Sequence, residues 1–310
     1  MEAIVFETEE AIYTTIGDAP QPIDLDLYRK DPEAPRVGDL FLGRVIAQKA
    51  GYAFLDIGRT LPGLLRGRHP QGSLLMVQVR REEIQEAHQR KGVGLRLWTG
   101  ELGGITQSHG VGLVQQASTS WLQALARHLG SLRCVYFNSY DCYHAARPVL
   151  DQAGVETMIK TDLDFGSELQ SLWAALEDPV VHLPRGGYAL IEEGVTLTAV
   201  DLNTAALSSY EHGVSLMKPG DVARYCREAA QSVLAELCRR GYGGVIVLDF
   251  PRVKDAAFRR DLEIAIKRLV PPHSEVFGFT RAGLFELTLP RRGASLPRKI
   301  HALRNKPWQN

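Results

Sequence analysis

Two aspartates and one asparagine stand where strand-like segments of this chain end. Asp201 closes LTAVD, Asp249 closes VIVLD, and Asn203 follows two residues after Asp201, on the same side of an extended strand. A carboxylate at the end of a buried strand loses solvation unless a positive group neutralises it. A hard divalent cation neutralises two carboxylates at once, and the amide can donate to a phosphate oxygen on the same ion. The pattern fits a magnesium site with a reacting group, and equally two aspartates that cap turns.

The segments that must position these residues alternate between strand and helix. GYALIEE and VTLTAVDLN predict a hairpin around Gly194, and apolar spacing predicts a helix over 221–240 with Gly241 just past its end. The continuous apolar run GGVIVLDF predicts a strand buried on both faces. Strand, helix and strand predict a right-handed parallel crossover, which brings the two aspartates to one sheet edge, where ligands of open α/β sheets bind.

The rest of the chain has a different sequence pattern. Residues 1–35 contain two predicted short strands, AIVFE and EAIYTTI, and then an acidic segment with several prolines, GDAPQPIDLDLYRKDPEAP, predicted as a linker. From Val37, short apolar alternations separated by glycines, with LLMVQVRR and VGLRLWTG after them, predict a small β-barrel. Residues 106–182 mix helical patterns, WLQALARHL and SELQSLWAALE, with short strands.

Composition narrows the classes of protein. Thirty-six basic residues balance 36 acidic ones, which argues against an overall polycation, although the last thirty residues are basic and fit either a solvated tail or a local anionic partner. No apolar run reaches membrane length and the N-terminus is acidic, so we expect a soluble, cytoplasmic protein without a membrane partner. The cysteines show no CxxC spacing, which argues against a structural zinc and a disulfide framework: Cys134, Cys142, Cys226 and Cys238.

Three segments together resemble the catalytic subdomain of the ribonuclease E/G family of endoribonucleases. They are LPRGGYALIEEGVTLTAVDLNTA (183–205), GYGGVIVLDF (241–250) and FTRAGLFELTLPR (279–291), and their order, spacing and residue types agree with the family. The resemblance implies that Asp201 and Asp249 hold Mg²⁺ and that Asn203 orients the phosphate. It also implies that metal-activated water cleaves single-stranded RNA, in RNA processing or decay, and leaves 5′-phosphate and 3′-hydroxyl ends.

The barrel segment GDLFLGRVIAQKAGYAFLDIGRTLPGLLRGR resembles the family's S1-type RNA-binding module, an OB-fold. The family's first stacking aromatic falls on Phe54 and its module lysine on Lys91; the alternatives are a core phenylalanine and a solvated lysine. Other candidate contacts to the RNA backbone, each with a solvated surface role as its alternative, are Arg59, Arg66, Arg68, Arg281, Arg291 and Arg292.

The resemblance implies a fold that is α/β plus all-β. An S1-type OB-fold barrel is inserted before a mixed α/β, DNase I-like catalytic subdomain, with a reduced RNase H-like middle region. The implied domains are N-terminal strands and linker of the RNase H-like part (1–36), S1-type module (37–105), reduced middle region with a shortened 5′-sensor (106–182), DNase I-like catalytic subdomain (183–291) and basic C-terminal tail (292–310).

Three departures from the family pattern predict a short-form member. The family's second barrel aromatic falls on Leu64, so one stacking platform is missing. The Arg-Thr pair of the family's sensor for RNA 5′-monophosphates is absent, and so is the Cys-x-x-Cys zinc link after the catalytic subdomain. We therefore expect no zinc-linked dimer, while the oligomeric state stays open.

Two other functions compete with the nuclease. An RNA-binding protein could keep this scaffold with little or no cleavage, because its grip and its sensor are reduced. A structural adaptor would draw only on the helical middle region. Three polar groups at two strand ends favour the enzyme, since a pure binder does not need them.

Overall fold

The computed structural model describes residues 1–17, 22–30, 34–86, 89–100, 110–161, 165–203, 219–251 and 255–304. The chain divides into two compact units. The first is Met1–Phe165 with Arg292–Ala294, and the second is Gly166–Arg291 with Ser295–Asn310. In the described residues, no helix is both long and apolar enough to span a membrane.

The first unit holds an α/β sheet and a barrel. Its elements in chain order are β1 (Glu2–Glu7), β2 (Ala11–Ile16), β3 (Asp24–Arg29), β4 (Leu40–Lys49), β5 (Tyr52–Asp56), β6 (Gly63–Arg66), β7 (Leu74–Arg81), β8 (Ile84–Glu86), β9 (Gln89–Lys91), β10 (Gly94–Leu97), β11 (Gly112–Gln115), α1 (Ser120–His128), β12 (Cys134–Phe137), α2 (Tyr140–Gln152) and β13 (Glu156–Ile159).

The α/β sheet has the strand order β13-β12-β1-β2-β3, and α1 and α2 contribute to the core on one of its faces. The prediction that the acidic segment is a linker was wrong at β3, which pairs with β2 along its whole length. Its alternating Asp and Leu residues are the reason. Asp24 accepts from Arg127 at 2.8 Å and contacts His128 at 2.9 Å, both on α1, while Leu25 and Leu27 are buried. Acidic residues here dock a helix.

The barrel is closed, as the glycine-punctuated alternation predicted. Strands β4, β5, β6, β10 and β7 pair in that order, β7 pairs back to β4, and β11 adds to β4. The barrel core is made of inward-facing aliphatic residues, such as Val45, Leu55 and Val77, together with Phe41. Closure leaves each of the five strands with a partner on both sides, which is the OB-like arrangement.

The second unit is a single sheet with helices. Its elements are α3 (Phe165–Glu177), β14 (Val180–His182), a 3₁₀ turn (Pro184–Gly186), β15 (Tyr188–Glu193), β16 (Leu197–Asn203), α4 (Pro219–Arg239), β17 (Gly244–Asp249), α5 (Ala256–Leu269), β18 (Glu275–Phe279), β19 (Phe285–Leu289) and α6 (Leu296–Arg304).

The sheet order is β14-β15-β16-β17-β19-β18, and only β16 and β17 run parallel. The hairpin at Gly194 and the parallel crossover through α4 are both confirmed. Gly241 has φ +71°, and its N–H donates to the Cys238 carbonyl while that of Tyr242 donates to the Leu237 carbonyl. These two bonds form a Schellman cap, which requires a left-handed residue, so the predicted end of α4 is confirmed.

Burial of this sheet is one-sided. Ile246 and Leu248 on β17 are fully buried with α4 and α5, but Val245 is 45% exposed and Asp249 is exposed. The prediction that β17 is buried on both faces was therefore wrong. An apolar run does not reveal which of its alternate residues meets a helix, and here only one set does.

The basic segment after β19 folds back as a helix. The Ser295 hydroxyl donates to Glu193 at 2.5 Å, Arg298 pairs with the same carboxylate at 3.0 Å, and Leu296 and Ile300 are buried. The segment from 292 onward was predicted as a basic tail; at least over α6 it is a docked helix. Charge alone does not distinguish a solvated tail from a docked helix. The apolar positions of α6, which would indicate a buried face, are few.

Arg240 is a buried arginine at the C-terminal end of α4. It is 3% exposed, its Nε donates to Glu236, and its Nη atoms donate to the carbonyls of Ala175, Leu176 and Asp178 at 2.6–3.2 Å. Ala175 and Leu176 lie in the last turn of α3 and Asp178 follows it, so their carbonyls have no partner within the helix. One guanidinium thus closes the end of α3.

Candidate active site

The two aspartates lie side by side at one end of the parallel pair. Asp201 on β16 and Asp249 on β17 are Cα partners in the strand register, and both are exposed. Neighbouring strands are about 4.8 Å apart, so the two side chains leave the same face within reach of one ion. The predicted convergence of these residues is confirmed; their chemical role stays a prediction.

Asn203 is tied to the first aspartate. Its Nδ2 donates to Asp201 Oδ2 at 2.8 Å, because residues two apart on a strand share a face. Its backbone carbonyl accepts from the Tyr225 hydroxyl of α4 at 2.7 Å. Burial raises the pKa of Tyr225 to about 12, so the hydroxyl remains a hydrogen-bond donor even at alkaline pH. A buried side chain of α4 therefore fixes the position of the end of β16.

The donor set suits a hard divalent cation. Within the described residues, neither aspartate is held by an arginine or lysine, and the amide of Asn203 is the hydrogen-bond donor to Asp201. Two adjacent carboxylates repel unless a cation separates them. No group of three or more acidic, histidine or cysteine side chains surrounds a common point in the described part of the chain. Two carboxylates match an ion that keeps water and phosphate oxygens in its shell.

Glu286 shares the open face but stands one row away. It lies on β19 opposite Val247, which is the residue two before Asp249 on β17. It is half-buried, and it does not join the aspartates in a common cluster. Glu286 contributes negative potential near the site without being a third ligand in this arrangement.

The two arginines predicted for this unit occupy opposite ends of the sheet. Arg281 is exposed in the turn between β18 and β19, and β19 begins at Phe285, which pairs with Leu248 next to Asp249. Arg291 follows the other end of β19, against Gly243 and the start of β17. Arg281 lies at the end of the sheet that carries the aspartates, whereas Arg291 is separated from it by the length of β17.

The residues of the first unit that were predicted to bind RNA lie on two different sheets and in a loop. Phe54 on β5 faces away from the barrel core, pairs with Leu64 on β6 and is half-buried. Arg66, also on β6, is exposed on the same face, and Arg59 follows β5 in a loop. Lys91 is exposed on β9, which pairs with β8 in a separate two-stranded sheet. Phe54 and Arg66 share one surface of the barrel, whereas Lys91 lies on the separate β8–β9 hairpin.

Gly187 and Tyr225 support the site, and neither residue was identified from the sequence. A Cβ on Gly187 would overlap the Tyr225 hydroxyl and lie 2.7 Å from the Asn203 carbonyl oxygen. Real Cβ atoms do not approach other atoms that closely. The glycine is needed because β15 passes directly over the hydrogen bond that holds Asn203. Only the folded structure brings these three residues together.

If Asn203 orients the phosphate in RNA cleavage, as the resemblance implies, Gly187→Ala should lower the cleavage rate about 10- to 100-fold, because it displaces Asn203. The measurement is initial cleavage rate of a labelled single-stranded RNA. Gly220→Ala is the matched control, since a Cβ there meets nothing within 4 Å and alanine favours the helix. Equal activity of both variants would show that Asn203 need not be held here.

Fold and site together define a class: an α/β protein that joins an OB-like barrel to a mixed sheet with paired strand-end aspartates. The family model described as "Ribonuclease E/G family" matches residues 111–292. That stretch includes the whole sheet of the second unit, with Asp201, Asn203 and Asp249. The chain belongs to the ribonuclease E/G family.

Curated relatives agree with this assignment. "Ribonuclease G" of Haemophilus influenzae is 30% identical over 157 residues, which cover 50% of this chain and 28% of that protein. "Ribonuclease G" of Escherichia coli strain K12 is 26% identical with the same coverage. "Ribonuclease E" of a Synechocystis strain is 30% identical over 164 residues, 50% of this chain and 21% of that protein. The chain thus spans under a third of the length of these relatives.

Proposed function

We propose that this protein is a metal-dependent endoribonuclease that cleaves single-stranded RNA. The observation that carries the proposal is the register of β16 and β17, which pairs Asp201 with Asp249 within a family-matched sheet. Relatives of the chain are named ribonucleases. The carboxylate pair supplies what phosphodiester hydrolysis needs, namely a place for a cation beside the scissile phosphate.

In this proposal Asp201 and Asp249 would hold Mg²⁺, and Asn203 would orient the phosphate. When bound, the ion supplies Lewis acidity and lowers the pKa of water for in-line attack, leaving 5′-phosphate and 3′-hydroxyl ends. Asn203 Nδ2 already donates to Asp201, and a second amide hydrogen is available for a phosphate oxygen. Arg281, exposed at the same end of the sheet, would contact a backbone phosphate of the bound strand.

The barrel would grip the single strand. Phe54 offers a ring on the outer face, next to the exposed Arg66. Arg59, Lys91 and Arg291 are assigned to backbone phosphates, which makes affinity fall with salt. We further propose that the barrel is of the S1 type and the second unit is DNase I-like, in a cytoplasmic enzyme of RNA processing or decay.

The test is metal removal. We expect the full chain to make internal cuts in a 5′-labelled, A/U-rich single-stranded RNA with Mg²⁺, and none with EDTA. Restoring Mg²⁺ after EDTA must restore the cuts, which controls for irreversible damage. Tight binding of the same RNA without cuts under every metal condition would instead support the binding-protein function.

A further inference from the structure

We propose that Tyr52 is a second base-stacking platform on the barrel, and that the cleft beside it binds the adjoining phosphate of a single-stranded RNA. This inference rests on the proposed function and names how the barrel holds that substrate. Leu64, which pairs with Phe54, offers no ring, and Tyr52 lies on the same surface as Phe54.

Tyr52 lies beside Phe54, because residues two apart on a strand face the same side. Along β5, Ala53 and Leu55 are fully buried in the barrel core, so Tyr52 and Phe54 both face outward. Tyr52 is 40% exposed, whereas Phe54 is half-buried. Residues two apart on a strand are roughly 7 Å apart, which sets two rings in a row along one face. Two rings in a row can each take one base of an extended strand.

Tyr52 stands between two cations. It pairs with Lys49 of β4 on one side and with Arg66 of β6 on the other. Directly opposed side chains on neighbouring strands have Cβ atoms about 5 Å apart, so both cations flank the ring. Both are exposed. A nucleic acid strand alternates aromatic bases with anionic phosphates. An aromatic ring between two positive charges can stack on a base while the cations contact the neighbouring phosphates.

A basic cleft adjoins this row. It has a volume of about 670 Å³, and Lys49, Arg68 and His69 line it. The cleft lies between the end of β4 with its following turn and the segment 68–71. Side-chain amides link the two: Gln48 donates to the His69 carbonyl, and Gln71 donates to the Ile46 carbonyl at 3.0 Å. These bonds hold the walls in place before a ligand arrives. Pre-formed positive walls favour a phosphate, and their position next to Tyr52 continues the path of a strand whose base lies on that ring.

The test measures binding without cleavage. Full-length protein in EDTA is titrated against a fluorescent single-stranded RNA of about ten nucleotides, and anisotropy gives Kd. We expect Tyr52→Ala to raise Kd about 5- to 150-fold, the range of one lost stack. Tyr52→Phe retains a ring and should stay near wild type. Tyr140→Ala is the matched control, because Tyr140 is 61% exposed on α2 of the same unit.

Salt dependence separates the ring from the charges. Lys49→Gln should reduce the slope of log K against log salt by about 0.7, the value for one single-strand phosphate, while Tyr52→Ala leaves the slope unchanged. A loss of slope in Tyr52→Ala would overturn the stacking role, since a ring neutralises no phosphate.

The outcomes distinguish this inference from the proposed function. Wild type that binds and cuts RNA, with Tyr52→Ala no weaker than Tyr140→Ala, overturns the inference alone. Wild type with no measurable RNA affinity overturns both. Tyr52→Ala that binds weakly while Tyr52→Phe and Tyr140→Ala bind normally supports the second platform, provided that circular dichroism shows all variants folded.

Discussion

Asp249→Asn is expected to lower RNA cleavage by about 10²- to 10³-fold or more while leaving RNA affinity in EDTA almost unchanged. The substitution removes one of the two charges that the paired strand ends present. It adds no bulk, and Asp249 is exposed, so the sheet keeps its packing. Loss of rate without loss of binding is the signature of a group that acts on the reacting phosphate.

A readout independent of cleavage strengthens this test. An ion bound only by the native state stabilises it, so Mg²⁺ should raise the melting temperature of wild type and not of Asp249→Asn. Asp261→Asn is the control, because Asp261 is an exposed aspartate on α5. Full cleavage by Asp249→Asn, with an unchanged Mg²⁺ shift, would exclude the aspartate pair as the metal site.

Arg240→Ala is expected to destabilise the protein by about 2–3 kcal/mol, because it removes the charged donor from three main-chain carbonyls at and just after the end of α3. Glu236 is 12% exposed as a side chain and Arg240 is 3% exposed. Glu236 keeps an arginine partner after this change, because Arg239 also pairs with it. Arg240→Lys should recover part of the lost stability, since an ammonium restores the positive charge but not the planar set of N–H donors of the guanidinium. Urea unfolding followed by circular dichroism measures the difference.

A surface pair provides the comparison. Arg147 and Asp151 form an ion pair on α2 at 2.9 Å, and both side chains are about half exposed. Arg147→Ala should therefore cost no more than about 0.5 kcal/mol. If Arg240→Ala were equally mild, the buried guanidinium would not be what closes α3.

Much of the second unit could be predicted because local and long-range signals agree there. Gly194 and Gly241 mark a turn and a helix end, and the apolar runs between them are long. The parallel crossover then follows from the order of elements, and it places Asp201 opposite Asp249. Regular glycine spacing likewise predicted the barrel, whose closure is a property of strand pairing.

The failures share one physical cause: a partner that is distant in sequence. The strand β3 reads as a linker because its aspartates look solvated, yet they meet α1 about a hundred residues later. Val245 could not be predicted as exposed without knowing that helices cover one face only.

Only part of the candidate site could be predicted from the sequence. Asp201, Asn203 and Asp249 follow from strand ends and family motifs. The supporting contact between Gly187, Asn203 and Tyr225 joins three elements, and its only trace in the sequence is a glycine pair before β15. Tyr52 escapes notice because the hairpin pairing, not its neighbours in sequence, puts it between two cations.

Arg240 is also a junction for main-chain bonding. Its guanidinium closes α3, while its own carbonyl accepts the N–H of Leu296, where α6 begins. Two helices from opposite ends of the second unit are therefore fastened at one residue. We therefore expect α3 and α6 to open together, as parts of one cooperative unit, despite their separation along the chain.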